Sequence, residues 1–421
     1  MTARQNANSL PRSRGRRSPN RSDELVAIAA ELFGKHGYHG VGVNDIAAAA
    51  GISGPALYRH FASKQDLLAT VLLSALDSLN RAAELSLRAR DGTQENRLPR
   101  LLRSLAELSV ERRDITALWR WQGAHLSADG RQAVLHQGGR LLGLLSRELR
   151  AYRRGLPQPE AELLCWAALS VLGSVAVHRT RIGKRQLTDL LLRIALAVAD
   201  TDLSTLPRSA PNGDARAWAG AATASRRTRR ESLLTEATRL FRERGFHAVS
   251  IEEIGQAAGL APASVYRHFS GKTDLLLTGC RRMADRLATD AARAIDTAAG
   301  PQQALRGLLD SYADNFTRNV DLVMVYTTEL ANLPGPERAE LVRLQRGYVT
   351  QWVQLLMAVD PGLDEGAARV SAHAALTIVN DLARTRQVSS RPGFHAELVL
   401  LARMALDTAA QPSPAATSNT R

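Results

Sequence analysis

Cysteine is nearly absent from this 421-residue chain: only Cys165 and Cys280 occur, far apart and with no ligand spacing around them. That excludes a disulfide framework or a thiolate zinc site and points to a reducing compartment. Aromatic residues make up 5% of the chain, and lysine is scarcer, with four lysines among 55 basic residues. No run reaches the roughly 18 uninterrupted apolar residues of a membrane span, and the arginine-rich start lacks the apolar stretch of a secretory signal. Alternating Val/Thr/Tyr-rich segments that would read as strands are missing, as are a phosphate-cradling glycine loop, a metal cluster and a nucleophile–base pair. The expectation is a soluble cytoplasmic protein, not an enzyme, with no cofactor, no metal and no membrane partner.

What is present is positive charge. The net charge of +14 and pI near 10.6 point to an anionic partner such as nucleic acid. A basic proteome rich in arginine codons would give the same balance, so charge alone does not decide. The length suggests two or three domains, each large enough to bury a core.

The chain repeats itself. Gly51-Ile52-Ser53-Gly54-Pro55-Ala56-Leu57-Tyr58-Arg59-His60-Phe61 returns as Gly259-Leu260-Ala261-Pro262-Ala263-Ser264-Val265-Tyr266-Arg267-His268-Phe269. Lys64, Asp66, Leu67 and Leu68 then return as Lys272, Asp274, Leu275 and Leu276 without a gap. Upstream, Leu25, Ala29, Leu32, Phe33, Gly37, Val41 and Ile46 match Leu233, Ala237, Leu240, Phe241, Gly245, Val249 and Ile254. Downstream the likeness thins, but Asp114, Leu126, Arg131, Gly155 and Leu156 still face Asp321, Leu333, Arg338, Gly362 and Leu363. A whole unit was duplicated, not only its head.

Apolar residues recur at three- and four-residue steps throughout, so the fold class is all-α. Each repeat reads as a three-helix head followed by a helical-bundle body. The expected division is a disordered basic tail over 1–20, a head over 21–68, a body over 69–205, a linker over 206–225, a second head over 226–276, a second body over 277–410 and a tail over 411–421. Within head one, a short helix near Val43–Ala50 ends at Gly51, which suits a left-handed C′ position, and another runs from about Gly54 to His60. Two short helices about a glycine turn form a helix-turn-helix, whose second member normally enters the major groove.

These residues resemble the N-terminal DNA-binding domain of the TetR family of bacterial transcriptional regulators. The resemblance rests on Phe33…Gly37-Tyr38, Val43-x-x-Ile46-Ala47, Ala50-Gly51-Ile52-Ser53, Leu57-Tyr58-Arg59-His60-Phe61 and Lys64-x-Asp66-Leu67-Leu68, and on the second copy of the same pattern. It implies double-stranded DNA as partner, with Tyr58, Tyr266, Lys64 and Lys272 on phosphates and His60 and His268 beside them. Base reading falls to the first turn of the second short helix, Ser53, Gly54 and Pro55 in one head and Pro262 and Ser264 in the other, and to Arg59 and Arg267. Gly54 and Pro262 offer no donor where the family often has a polar side chain, so direct readout is lean. DNA shape, read in a minor groove by the arginine clusters ahead of each head, is one source of further specificity; a solvated tail with only nonspecific attraction is the other reading. At the caps, Gly42 stands against Ser250 and Ser53 against Ala261; an alanine cap costs about 1 kcal/mol, so head two is expected to be slightly less rigid.

The resemblance also implies that each body binds a small-molecule effector and dimerises through its last two helices. Long apolar stretches near Pro159–Thr180 and Lys184–Asp200, and near Leu363–Val388 and Gly393–Thr408, fit such pairs. Candidate effector residues are Trp119, Trp121, Gln122, His125, Trp166 and His178 in body one, and Tyr326, Thr328, Glu329, Asn332, Trp352, His373 and Asn380 in body two. The expected function is DNA-binding regulation, most often repression in this family, by a pseudo-dimer within one chain or by a homodimer. An architectural DNA binder without effector is the alternative.

Overall fold

The computed structural model describes residues 21–38, 40–88, 97–113, 126–206 and 228–408. Among them all regular structure is helical. Unit one contains α1 (Arg21–His36), α2 (Val43–Ala49), α3 (Gly54–Leu57), α4 (Lys64–Arg88), α5 (Arg97–Glu111), α6 (Ala128–Tyr152), α7 (Gln158–Gly173) and α8 (Lys184–Ala199). Unit two follows with α9 (Arg229–Arg244), α10 (Ile251–Ala257), α11 (Pro262–Val265), α12 (Lys272–Asp296), α13 (Pro301–Arg318), α14 (Val320–Thr328), α15 (Gly335–Val359), α16 (Glu365–Arg384), α17 (Arg386–Ser389) and α18 (Phe394–Asp407).

Each head forms for the same local reasons. Leu25, Ala29 and Phe33 share one face of α1 and are buried, as are Leu233, Ala237 and Phe241 on α9. The turn between the two short helices needs a left-handed residue, and Gly51 (φ 65°) and Gly259 (φ 69°) supply it at no steric cost. Leu57 and Val265 then point the last turn of α3 and α11 into the core, at 2% and 0% exposure. In head two the short helices approach so closely that a Cβ on Gly255 would lie 2.8 Å from the Val265 side chain.

The long helices α4 and α12 start in the heads and run into the bodies. In body one, α4 packs on α5 and α6, α5 on α8, and α6 on α7; in body two, α12 packs on α13, α13 on α15 and α18, and α15 on α16. The bodies then meet through equivalent helices: α7 lies against α16 and α8 against α18. Self-equivalent contacts of this kind characterise an isologous interface, here formed inside one chain. Ala167, Ala168, Ala372, Ala374 and Ala375 are fully buried or nearly so, and their small side chains let the helices approach. Arg391 Nη1 donates to the Pro159 carbonyl across the junction at 2.9 Å, and the His178 and His373 rings stack 5.0 Å apart. The segment Gln158–Ala176 is apolar and long enough to cross a membrane, but 67% of it is buried, because it forms the centre of this junction.

Candidate nucleic-acid interface and effector cavity

In both heads the second short helix leaves its polar end outward. Tyr58 and Tyr266 are 54% and 55% exposed although their neighbours Leu57 and Val265 are buried, so packing does not account for the phenols. Arg59 and Arg267 are exposed beside them, as are Ser53, Pro55, His60 and Pro262; Gly54, Ser264 and His268 are half-buried. The cluster brought together in each head is therefore a phenol, a guanidinium and an imidazole at the end of a short helix. Such a set can donate to phosphate oxygens and to guanine.

The two lysines expected on phosphates also have partners inside the heads. Lys272 Nζ donates to the carbonyls of Phe246 and Val249, both at 3.0 Å, and lies 4.6 Å from the Phe246 ring centre. That leaves one N–H of the ammonium for any other acceptor. Lys64 Nζ lies 4.1 Å from the Tyr38 ring centre, and burial pushes its pKa down. Both lysines hold the segment that enters the helix-turn-helix. The aspartate of the same motif is structural. Asp66 accepts from the Ala62 N–H at 3.0 Å and Asp274 from the Ser270 N–H at 2.9 Å, tying down the start of α4 and α12.

The side-chain caps favour head two at the first short helix and neither head at the second. Ser53 makes no cap hydrogen bond, so Ala261 loses nothing by comparison. At the preceding helix, Ser250 and Glu253 form a complete capping box, with the Glu253 N–H donating to Ser250 Oγ at 3.2 Å and the Ser250 N–H to Glu253 at 2.8 Å. Gly42 has only half of this, its N–H donating to Asp45 at 2.6 Å. Head two is further tied by Thr228, which caps α9, and by two bonds of 2.7 Å from Arg282 to Glu231. Arg242 pairs with Asp321, and His247 Nε2 lies 2.7 Å from Asn332 Oδ1, joining the head to body two. The arginines of the 1–20 tail, with Arg226 and Arg227, lie outside the described residues.

The bodies differ in their interiors. Body one contains a cavity of about 260 Å³, walled by Leu72, Leu76, Leu105, Ser109, Leu141, Trp166 and neighbouring residues. Its remaining wall comes from body two, where Asp381 and Arg384 of α16 and Thr385 at its end reach it. Of the candidate effector residues, Trp166 lines this space. Trp119, Trp121, Gln122 and His125 fall outside the described residues. His373 stands in the body junction, stacked on His178. Tyr326 and Glu329 are buried beneath head two, where Glu329 accepts from Asn332 Nδ2 at 2.6 Å. Burial raises the Glu329 carboxyl above its usual range, against hydrogen bonds from Phe246, Thr328 and Asn332 that lower it. Trp352 is fully buried in body two. Asp381 and Arg384 were missed in the sequence; two opposite charges inside an otherwise apolar stretch were the available signal.

Neither cysteine is poised for chemistry: both are buried, and desolvation pushes the Cys280 thiol up to about 12. Among the described residues no three His, Cys, Asp or Glu side chains converge to hold a metal.

Comparisons with known proteins agree with these heads. The family described as bacterial regulatory proteins, tetR family, matches residues 25–71 and again 233–278, and that described as Tetracyclin repressor-like, C-terminal domain, matches 298–384. The chain is 31% identical over 169 residues to the HTH-type transcriptional activator FasR of Mycolicibacterium smegmatis, covering 39% of this chain and 74% of that protein. It is 27% identical over 143 residues to the HTH-type transcriptional repressor KstR2 of Mycobacterium tuberculosis, covering 34% and 70%. A solved bacterial regulatory protein of the tetR family from Rhodococcus RHA1 superposes with a TM-score of 0.40 at 19% identity, covering 44% of this chain and 100% of its own. With its DNA-binding head present twice, the chain belongs to the TetR family of bacterial DNA-binding transcriptional regulators.

Proposed function

We propose that this regulator acts as an intramolecular pseudo-dimer, a cytoplasmic repressor whose two unlike heads read two unlike half-sites of one asymmetric operator. The observation that carries this reading is the packing of α7 and α8 against α16 and α18, which uses within one chain the helix pairs expected to dimerise two chains. Tyr58, Arg59 and His60 serve one half-site, and Tyr266, Arg267 and His268 the other. Ser53, Gly54, Pro55, Pro262 and Ser264 set how closely each helix approaches the groove. Lys64 and Lys272 keep the heads in shape and add positive charge near the phosphates. A small molecule entering the body-one cavity changes DNA affinity by favouring one arrangement of the bodies.

Light scattering combined with operator titration tests this. The expected result is one chain per operator and the mass of a monomer, with affinity falling for both Arg59→Ala and Arg267→Ala. A stable dimer mass with four heads on DNA would overturn the pseudo-dimer. Binding that depends steeply on salt and ignores sequence would identify an architectural binder instead.

A further inference from the structure

The two bodies can be compared position by position, because Leu126 and Gly155 align with Leu333 and Gly362. On that register the buried positions Leu98, Leu101, Leu102 and Leu105 of α5 fall on the buried Leu305, Leu308, Leu309 and Tyr312 of α13. At three walls of the body-one cavity a ring takes the place of a smaller side chain: Leu105 by Tyr312, Ser109 by Phe316 and Leu141 by Tyr348. In body two these rings pack on one another, with centroids 4.5 Å apart for Tyr312 and Phe316 and 5.9 Å for Tyr312 and Tyr348. Trp352 closes the cluster at 5.9 Å from Tyr312, and the Tyr312 hydroxyl donates to Asn380 Oδ1 at 2.8 Å. Body two has its own side chains where body one has space.

The remaining wall of the cavity is not equivalent either. Asp381 and Arg384, an ion pair at 3.2 Å, close the body-one cavity from α16. The equivalent positions in unit one are Ser174 and Val177, which carry no charge. Asn380, the partner of the Tyr312 hydroxyl, is adjacent to Asp381 on α16, so the wall of the one cavity continues directly into the filled core of the other body. An apolar cavity of about 150 Å³ takes up benzene, which scales to roughly ten carbons for the space in body one.

We propose that the chain has a single effector site, in body one, for a largely apolar molecule of about ten carbons with one polar end, and that body two reads that site through α16 without sensing a ligand of its own. This rests on the reading of body one as the effector domain. The hydrocarbon part lies against Leu72, Leu76, Leu105 and Leu141, and the polar end against Asp381, Arg384 and Thr385.

The test is calorimetric titration of the full chain with 2-naphthol, which has ten carbons and one hydroxyl. The expected stoichiometry is one per chain. Leu105→Tyr/Leu141→Tyr, which gives body one the rings of body two, weakens binding at least tenfold while melting temperature and operator binding are kept. Ser109→Phe is an independent filling variant should the double variant fail to fold. Tyr312→Leu/Phe316→Ser/Tyr348→Leu, which gives body two the side chains of body one at the three filled positions, raises the stoichiometry to two, with weaker binding at the added site because it lacks the Asp381–Arg384 pair. Two sites in the wild-type chain, or full binding by the filled variants, would overturn the single site but leave a ligand-sensing regulator. No binding by the wild-type chain would sink both the single site and the small-molecule reading, with sequence-specific DNA binding still judged by the operator titration.

Discussion

The two bodies of this chain share their helices and differ in what those helices enclose. Body one keeps a cavity of about 260 Å³ among leucines; body two fills the matching space with Tyr312, Phe316, Tyr348 and Trp352. The difference shows how a duplicated bundle can diverge without changing its outer packing, because the residues that changed point inward while the alanine-rich junction faces were kept. The heads diverged in another way. Head one is tied by Arg21, which donates to the Ala50 carbonyl at 2.7 Å, and by Ser63 Oγ, which accepts from the Asp66 N–H; head two is tied by its capping box, the Arg282–Glu231 pair and the contacts to α14. It also places Glu252 where head one has Asn44, adding negative charge near the start of α10.

The contrast between the bodies is tested most strongly by truncation. Trp352→Ala, in the filled core, is expected to cost about 3–5 kcal/mol, whereas Leu141→Ala, which already faces empty space, falls near the lower end for leucine, about 2 kcal/mol. Chemical denaturation of the two variants measures both, and equal losses would mean that the cavity wall is packed as tightly as the aromatic core.

The heads are compared next. Arg59→Ala is expected to weaken operator binding by about 1–3 kcal/mol, the range for one bidentate base contact. Arg267→Ala is expected to weaken it less, on the reading that Glu252, standing where head one has Asn44, leaves head two with the weaker hold on DNA. Electrophoretic titration at fixed salt decides this, and a larger loss from Arg267→Ala would reverse the ranking.

Caps give a smaller contrast. Ser250→Ala is expected to lower the melting stability by about 1 kcal/mol, while Ser53→Ala, which removes no cap bond, stays within a few tenths. Matching losses would show that Ser53 engages its helix in solution.

The smallest effect depends on pH. Burial raises the native Glu329 carboxyl above its unfolded value, so the folded state holds its proton more tightly and loses stability as pH rises from the ordinary carboxylate range through the raised native pKa. Glu329→Gln should therefore gain on the wild-type protein across that window and match it at lower pH. A pH series of thermal melts reads the difference; a gap constant with pH would assign the gain to packing instead.

Much of the architecture was legible in the residues. Gly51 and Gly259 marked the helix-turn-helix because a left-handed turn has few alternatives to glycine. The exposed Tyr58–Arg59 and Tyr266–Arg267 pairs followed from their place after a buried Leu57 or Val265. Trp166, a polar-edged aromatic in an apolar stretch, lines the cavity. No pattern of spacing shows that the Lys272 ammonium also meets two carbonyls more than 20 residues upstream, or that Lys64 lies over the Tyr38 ring. Tyr326 and Glu329 lie beneath head two and His373 in the body junction, positions that the sequence does not separate from a pocket wall because buried polar groups need partners in each.

Local rules, namely helical periodicity, glycine at left-handed turns and an aspartate three residues into a helix, act over a few neighbours, so the repeat, the heads and the all-helical class could be read along the chain. Whether an interior is filled or hollow depends on four helices meeting at once, and whether α16 walls a cavity in the other body depends on residues some 200 positions apart. Packing is a property of the volume between helices rather than of any one of them. The inequality of the two bodies therefore came into view only when the chain was folded.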